Sequence, residues 1–153
     1  MLGMTLTLLL GLSIQEFTGS RTRQAIRIKM DDIILSNLSH TWLIDVDGTI
    51  VEHNGYLSRS EKLLPGVKEF FEKIPKKDII FILTARNERY RSVTKDFLKK
   101  NEIRFDQIIF GLPSGEIFQI NDIIPKGLNT AVALNIERNN GLKNIEIKTD
   151  NRL

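Results

Sequence analysis

The chain has 153 residues, of which 41% are hydrophobic and 27% are charged, and its net charge is +3. A chain of this length can bury one core of ordinary size, but it is too short for two full domains. The positive excess is too small, and too evenly spread, to indicate a nucleic-acid-binding protein. The chain contains no cysteine, which excludes a disulfide framework, a thiol nucleophile and a thiolate metal site. This composition fits a cytoplasmic protein.

The first thirty residues differ from the rest, because residues 1–14 are apolar and residues 16–29 are polar and basic. The apolar run is shorter than the ~20 residues that span a bilayer, and the basic residues follow it, whereas those of a signal peptide precede the apolar region. We therefore interpret residues 1–30 as an extension that the folded domain, residues 31–153, does not require. A start at Met30 and a peripheral amphipathic helix both remain open interpretations.

From Thr41 onward, short apolar runs alternate with segments of helical periodicity. The pattern predicts strands at residues 41–46, 79–83, 107–110, 116–120 and 144–148, and helices at residues 61–73, 87–100 and 126–137. Such alternation predicts an α/β fold with a Rossmann-like parallel sheet and helices on both faces. The connections are too short to contain a large cap domain.

Polar residues follow three of the predicted strands. Asp45 and Asp47 end the first strand, Thr84 follows the second, and Asp122 follows the run at residues 116–120. In an open α/β sheet, ligands bind beyond the carboxyl ends of the strands, so these side chains are expected to converge. Three carboxylates at one edge require a cation, and hard oxygen ligands favour Mg²⁺, which commonly carries substrate phosphate. The sequence therefore predicts a magnesium and phosphate site.

The run Asp45-Val46-Asp47-Gly48-Thr49 resembles the DxDGT signature of the haloacid dehalogenase (HAD) superfamily, and Thr84 and Asp122 resemble its second and fourth motifs. The resemblance covers residues 41 to about 138. It implies a HAD-like catalytic domain in residues 31–153 and phosphoryl transfer in two steps. Asp45 is the implied nucleophile that forms an aspartyl-phosphate, and Asp47 the acid/base partner. Mg²⁺ is expected to bind Asp45, the backbone carbonyl of Asp47, and Asp122, while Thr84 binds the phosphoryl group.

The chain departs from the family at the third motif, because no lysine or arginine lies between Arg104 and Asp122. Lys126 and Arg86 are the two candidates for the missing phosphate-binding cation. His53 follows the first motif closely enough to contact a leaving group, although a single loop histidine is more often simply exposed.

The expected activity is hydrolysis of a small phosphomonoester such as a sugar phosphate. Residues 84–98 and 112–128 resemble small HAD proteins associated with bacterial surface-polysaccharide synthesis. Two alternatives stay open: a phosphatase of a phosphorylated macromolecule or nucleic acid end, and a non-catalytic phospholigand-binding protein. Without a cap, the site is expected to be open or closed by a second subunit.

Overall fold

The computed structural model describes residues 32–58, 60–123 and 129–152. Its strands are β1 (Ile33–Leu35), β2 (Thr41–Asp45), β3 (Ile79–Leu83), β4 (Gln107–Ile109) and β5 (Ile147–Thr149), and its helices are α1 (Val67–Lys73) and α2 (Arg91–Lys100). Short 3₁₀ turns cover Gly55–Leu57 and Glu88–Tyr90. The extension at residues 1–30 lies outside the described residues.

Two small sheets make up the strand layer. β2, β3 and β4 form a parallel sheet in that order, and β1 pairs in parallel with β5. In the three-stranded sheet Asp45 is opposite Leu83, and Leu83 is opposite Ile109. The parallel α/β class predicted from the sequence is therefore confirmed, while β1 is a strand that the sequence pattern did not predict.

The hydrophobic core lies on one face of the three-stranded sheet. Its buried members from the strands and helices fall into a single cluster: Ile44, Ile80, Ile82, Ile108, Val67, Phe70, Phe71 and Leu98. On the opposite face Leu43, Ile79 and Ile109 are 47%, 47% and 39% exposed. Within the described residues, α1 and α2 thus pack against the same face.

Helix α1 begins later than predicted. The predicted helix covered residues 61–73, but the helix begins at Val67, after Gly66 adopts a left-handed φ of 77°. Leu63 instead pairs with Val51 in an isolated bridge. A Cβ on Gly66 would lie 2.3 Å from the Cα of Lys143. Glycine at position 66 therefore permits both the turn into α1 and the close approach of the C-terminal segment.

The region after β4 differs most from the prediction. Residues 116–120 were predicted as a strand and residues 126–137 as a helix, but residues 116–120 and 129–137 are irregular. The remaining residues of the predicted helix, 126–128, lie outside the described residues. Phe118 and Ile120 are 85% and 95% exposed, and Val132 is 69% exposed. Because a helix or strand depends on burying its apolar face, local pattern alone does not stabilise these segments.

A short flap connects the end of β2 to α1. The flap comprises residues 51–63, is closed by the bridge between Val51 and Leu63, and carries the 3₁₀ turn Gly55–Leu57. The flap and α1 account for most of the chain between Thr49 and β3, of which only Arg59 is outside the described residues.

In the parts of the chain that the structure describes, no helix combines the length and the apolar character needed to cross a membrane.

Candidate functional site

The first motif forms a tight loop at the carboxyl end of β2. The backbone N–H groups of Ile50 and Val51 both donate to the carbonyl of Val46, at 2.9 and 3.0 Å, and the N–H of Gly48 donates to the carbonyl of Val51 at 2.7 Å. Gly48 has a φ of 92°, a left-handed value that favours glycine. Because the chain turns sharply after β2, the carboxylates of Asp45 and Asp47 have different surroundings.

Asp45 is open to solvent on one side. The hydroxyl of Thr49 donates to its Oδ2 at 3.0 Å. Partial burial raises the pKa of the Asp45 carboxyl, and the charge of nearby Asp47 adds to this, although the hydrogen bond from Thr49 opposes it. No salt bridge among the described residues involves Asp45. Its negative charge is therefore incompletely compensated.

Asp47 lies at the end of β3, as predicted from the rule that the carboxyl ends of neighbouring parallel strands meet at one edge of the sheet. The hydroxyl of Thr84 lies 3.4 Å from Asp47 Oδ2 and accepts a hydrogen bond from the backbone N–H of Arg86 at 3.1 Å. Thr84 is 1% exposed. The structure therefore brings Asp47, Thr84 and Arg86 together at the adjoining ends of two parallel strands.

Arg86 binds Asp47 through two parallel hydrogen bonds. Its Nε donates to Asp47 Oδ2 at 2.8 Å, and its Nη2 donates to Asp47 Oδ1 at 2.9 Å. This bidentate geometry fixes the orientation of a carboxylate better than a single contact does. The guanidinium of Arg86 thus orients Asp47 in the described structure, and its contact with substrate phosphate stays a prediction.

Three further residues surround the Arg86 guanidinium. Its Nη2 also donates to Glu61, and its Nη1 donates to the hydroxyl of Thr94 at 3.0 Å. The ring of Tyr56 lies 4.3 Å from its central carbon, within the range of a cation–π contact. Burial opposes the charge of Arg86, but the hydrogen bonds to Asp47 and Glu61 outweigh this and raise its pKa. Because Tyr56 and Glu61 belong to the flap, Arg86 also fastens the flap beside Asp47.

We expect Arg86→Met to destabilise the protein by about 3–5 kcal/mol, because it leaves two largely buried carboxylates without their cation. The side chains of Glu61 and Asp47 are only 8% and 15% exposed. Urea unfolding provides the measurement, and the double variant Arg86→Met/Glu61→Gln should recover part of the loss.

The matched control for this experiment is Arg91→Met. Arg91 forms an exposed pair with Glu88, and such pairs contribute little to stability. An equal, small loss in the Arg86 and Arg91 variants would contradict the structural role of Arg86.

Among the described residues, Asp122 makes no hydrogen bond to this cluster. Asp122 lies in the exposed irregular segment, where its backbone carbonyl accepts a hydrogen bond from the hydroxyl of Thr130. Lys126 lies outside the described residues. Within residues 32–58, 60–123 and 129–152, no group of three or more acidic, histidine or cysteine side chains is arranged to hold a metal ion.

The donors present fit Mg²⁺ in part. Asp45 offers a carboxylate with uncompensated charge, and the backbone carbonyl of Asp47 is an oxygen donor of the same hard type. The Asp47 carboxylate is paired with Arg86, whereas Asp45 has no basic partner among the described residues. Mg²⁺ usually binds only one or two protein carboxylates and keeps several waters, so these two donors are a suitable minimal set, and Asp122 remains the predicted third ligand.

Sequence reasoning missed the residues that reach the site from a distance. Glu61, Tyr56 and Thr94 contact Arg86, and Asn139 hydrogen-bonds to the first-motif loop. Residues 139–141 follow the last predicted helix, residues 126–137, and no role at the site was predicted for them. The only local signal in the sequence is the glycine at position 48, which permits a close approach of another segment.

Comparisons with protein-family models, with curated proteins and with solved structures find no match to this chain.

Proposed function

We propose that this chain is a magnesium-dependent phosphohydrolase of the HAD type that acts through an aspartyl-phosphate on Asp45. One observation carries the proposal. Two aspartates, two residues apart at the carboxyl end of a parallel strand, have different partners: Asp45 is open and unpaired by any described basic side chain, whereas Asp47 is held by Arg86. Two chemically identical groups in different environments suit two different roles in one reaction.

Asp45 is the nucleophile in this proposal. A carboxylate oxygen of Asp45 attacks phosphorus, a new P–O bond forms, and the bond from phosphorus to the leaving oxygen breaks. The hydroxyl of Thr49 bonds Oδ2 and so orients the carboxylate for attack. Covalent catalysis of this kind divides one difficult displacement into two easier ones.

Asp47 is the proton carrier. In its protonated form it gives a proton to the leaving oxygen in the first step, and the resulting carboxylate takes one from the attacking water in the second, which releases inorganic phosphate and restores both aspartates. The two hydrogen bonds from Arg86 hold its carboxylate in one orientation. When bound at Asp45 and the Asp47 carbonyl, Mg²⁺ supplies positive charge that offsets the charge shared by nucleophile and phosphate.

The proposed substrate is a small phosphomonoester such as a sugar phosphate. Between residues 46 and 66, Arg59 aside, the flap is the one segment inserted beside the two aspartates. It is too short to form a closed chamber by itself. The proposal also includes a second helical layer, as in HAD proteins, over the sheet face that carries Leu43 and Ile109. The proposed location of the protein is the cytoplasm.

We expect phosphate release to require Mg²⁺, because the open Asp45 carboxylate otherwise repels the substrate phosphate. The measurement is phosphate release from a panel of phosphorylated metabolites, phosphopeptides and 5′-phosphorylated oligonucleotides. Chelation should reduce the rate to background, and added Mg²⁺ should restore it.

The same panel separates the alternatives. Turnover of the phosphopeptides or oligonucleotides alone would replace the metabolite by a macromolecular substrate. Tight binding of phosphorylated compounds without release of phosphate would identify a non-catalytic binding protein and would contradict the proposed enzyme.

A further inference from the structure

The C-terminal segment at residues 138–142 docks onto the first-motif loop. The backbone N–H of Asn139 donates to the carbonyl of Gly48 at 2.8 Å. The side-chain Oδ1 of Asn139 accepts a hydrogen bond from the backbone N–H of His53 at 2.8 Å. Further along, the N–H of Leu142 donates to the carbonyl of Pro65 at 2.9 Å, and Leu142 is 4% exposed. Three hydrogen bonds and one buried side chain thus fix this segment beside the two aspartates.

This docking places the side-chain stem of Arg138 against Gly48. A Cβ built on Gly48 would lie 2.8 Å from Cγ of Arg138 and 3.6 Å from its Cδ. The first distance is too short for a real contact, so the stem can pass so close only because position 48 has no side chain. Gly48 lies between Asp47 and Thr49, which places Arg138 at the loop that is proposed to hold the phosphoryl group.

The charge of Arg138 is not used elsewhere in the described structure. Among the described residues, no salt bridge involves Arg138, and its side chain is exposed. Arg86 is the opposite case, because it is 2% exposed and bound to two carboxylates. Of these two arginines, only Arg138 has a charge available to a ligand.

A second polar group near Arg138 lacks a partner. The Nδ1 atom of His53 is buried without a hydrogen bond among the described residues, and Asn139 binds the backbone of the same histidine. An unpaired buried polar atom is costly unless a ligand or water satisfies it. Asn139 therefore links the backbone of His53 to the segment that carries Arg138.

We propose that Arg138 binds the phosphoryl group of the substrate and supplies the positive charge that the missing third-motif lysine does not. This inference rests on the proposed function, since it assigns a cation to the same site. A guanidinium suits the ligand because it is always positively charged and its N–H groups donate to phosphate oxygens.

The test compares Arg138→Met, which keeps the stem but removes the charge, with Arg138→Lys, which keeps the charge. The matched control is Arg152→Met, whose guanidinium is exposed and pairs with neighbouring Asp150. Two quantities are measured in the full chain: kcat/KM for the best substrate of the panel, and the affinity for inorganic phosphate by calorimetry. Removing one preorganised charge-stabilising donor typically costs about 10²–10³-fold in rate, so we expect that loss in Arg138→Met.

Arg138→Met should also bind inorganic phosphate more weakly than the wild type. Arg138→Lys should lose much less kcat/KM and much less phosphate affinity, and Arg152→Met should match the wild type in both measurements. Wild-type values in Arg138→Met would overturn the inference even if the enzyme is active. Equal losses in the methionine and lysine variants, accompanied by reduced stability to urea, would also overturn it, because they would reveal a packing role. If the wild type releases no phosphate from any substrate, the proposed function fails, and the calorimetry alone decides whether Arg138 binds phosphate.

Discussion

Replacing Asp45 by asparagine should reduce phosphate release to background. The change removes the attacking carboxylate and a metal ligand together, so neither the aspartyl-phosphate nor a properly bound phosphate can form. Asparagine has nearly the same shape and keeps an oxygen that can accept the hydrogen bond from Thr49. The fold should therefore be preserved, and a comparison of urea unfolding curves with those of the wild type checks this.

The matched control is Asp96→Asn, which makes the same chemical change on the exposed surface of α2, where Ser92 is the one described residue that donates a hydrogen bond to the carboxylate. This variant should retain wild-type turnover. Wild-type turnover in Asp45→Asn would contradict the assignment of the nucleophile and the proposed function with it.

Replacing Asp47 by asparagine should lower turnover by about 10²–10⁴-fold, the usual contribution of a positioned general acid or base. With p-nitrophenyl phosphate, whose leaving group needs no proton, the first step should suffer less than the second. Steady-state and single-turnover rates measured on both kinds of substrate would separate the two steps.

The structure adds a complication to the Asp47 variant, because asparagine also weakens the bidentate contact with Arg86. Glu61→Gln is the appropriate control, since it loosens the same guanidinium but leaves the Asp47 carboxylate in place. A much smaller rate loss in Glu61→Gln would assign the effect to the proton carrier. Equal rate losses in Asp47→Asn and Glu61→Gln would show that the effect comes from the disturbed hydrogen bonds of Arg86.

The central part of the fold could be predicted from the sequence because its elements are continuous and local. The run at residues 79–83 coincides with β3, and the periodic segment after Asn87 contains α2, which follows the 3₁₀ turn that begins at Glu88. Asn87 caps that turn by accepting a hydrogen bond from the N–H of Arg89. These features depend on neighbouring residues, so local pattern is enough to find them.

Elements that depend on distant partners could not be predicted in this way. β1 is only three residues long and is a strand because Ile33 pairs with Ile147 near the other end of the chain. The late start of α1 depends on the pairing of Leu63 with Val51 and on the approach of Lys143 to Gly66. Periodicity within residues 61–73 contains no information about either contact.

The candidate site divides in the same way. The meeting of Asp47 and Thr84 follows from the rule that parallel strands end at one edge, and the structure confirms it. The partners of Arg86 depend on how the flap folds back, which places Glu61 and Tyr56 around a residue far along the chain. The approach of Arg138 to Gly48 likewise requires the docking of residues 138–142. Sequence order therefore predicted that Asp47 and Thr84 meet, but not which residues surround them.

The most direct test of the proposed mechanism is detection of the phosphorylated protein itself. Each protein is mixed with substrate and Mg²⁺, quenched rapidly in acid and examined by intact mass measurement. Slow hydrolysis of the intermediate should make Asp47→Asn accumulate one covalently attached phosphate, and peptide mapping should locate it on Asp45. The Asp45→Asn variant should carry none. Turnover by the wild type without any adduct in the Asp47 variant, or an adduct that persists in the Asp45 variant, would contradict the mechanism.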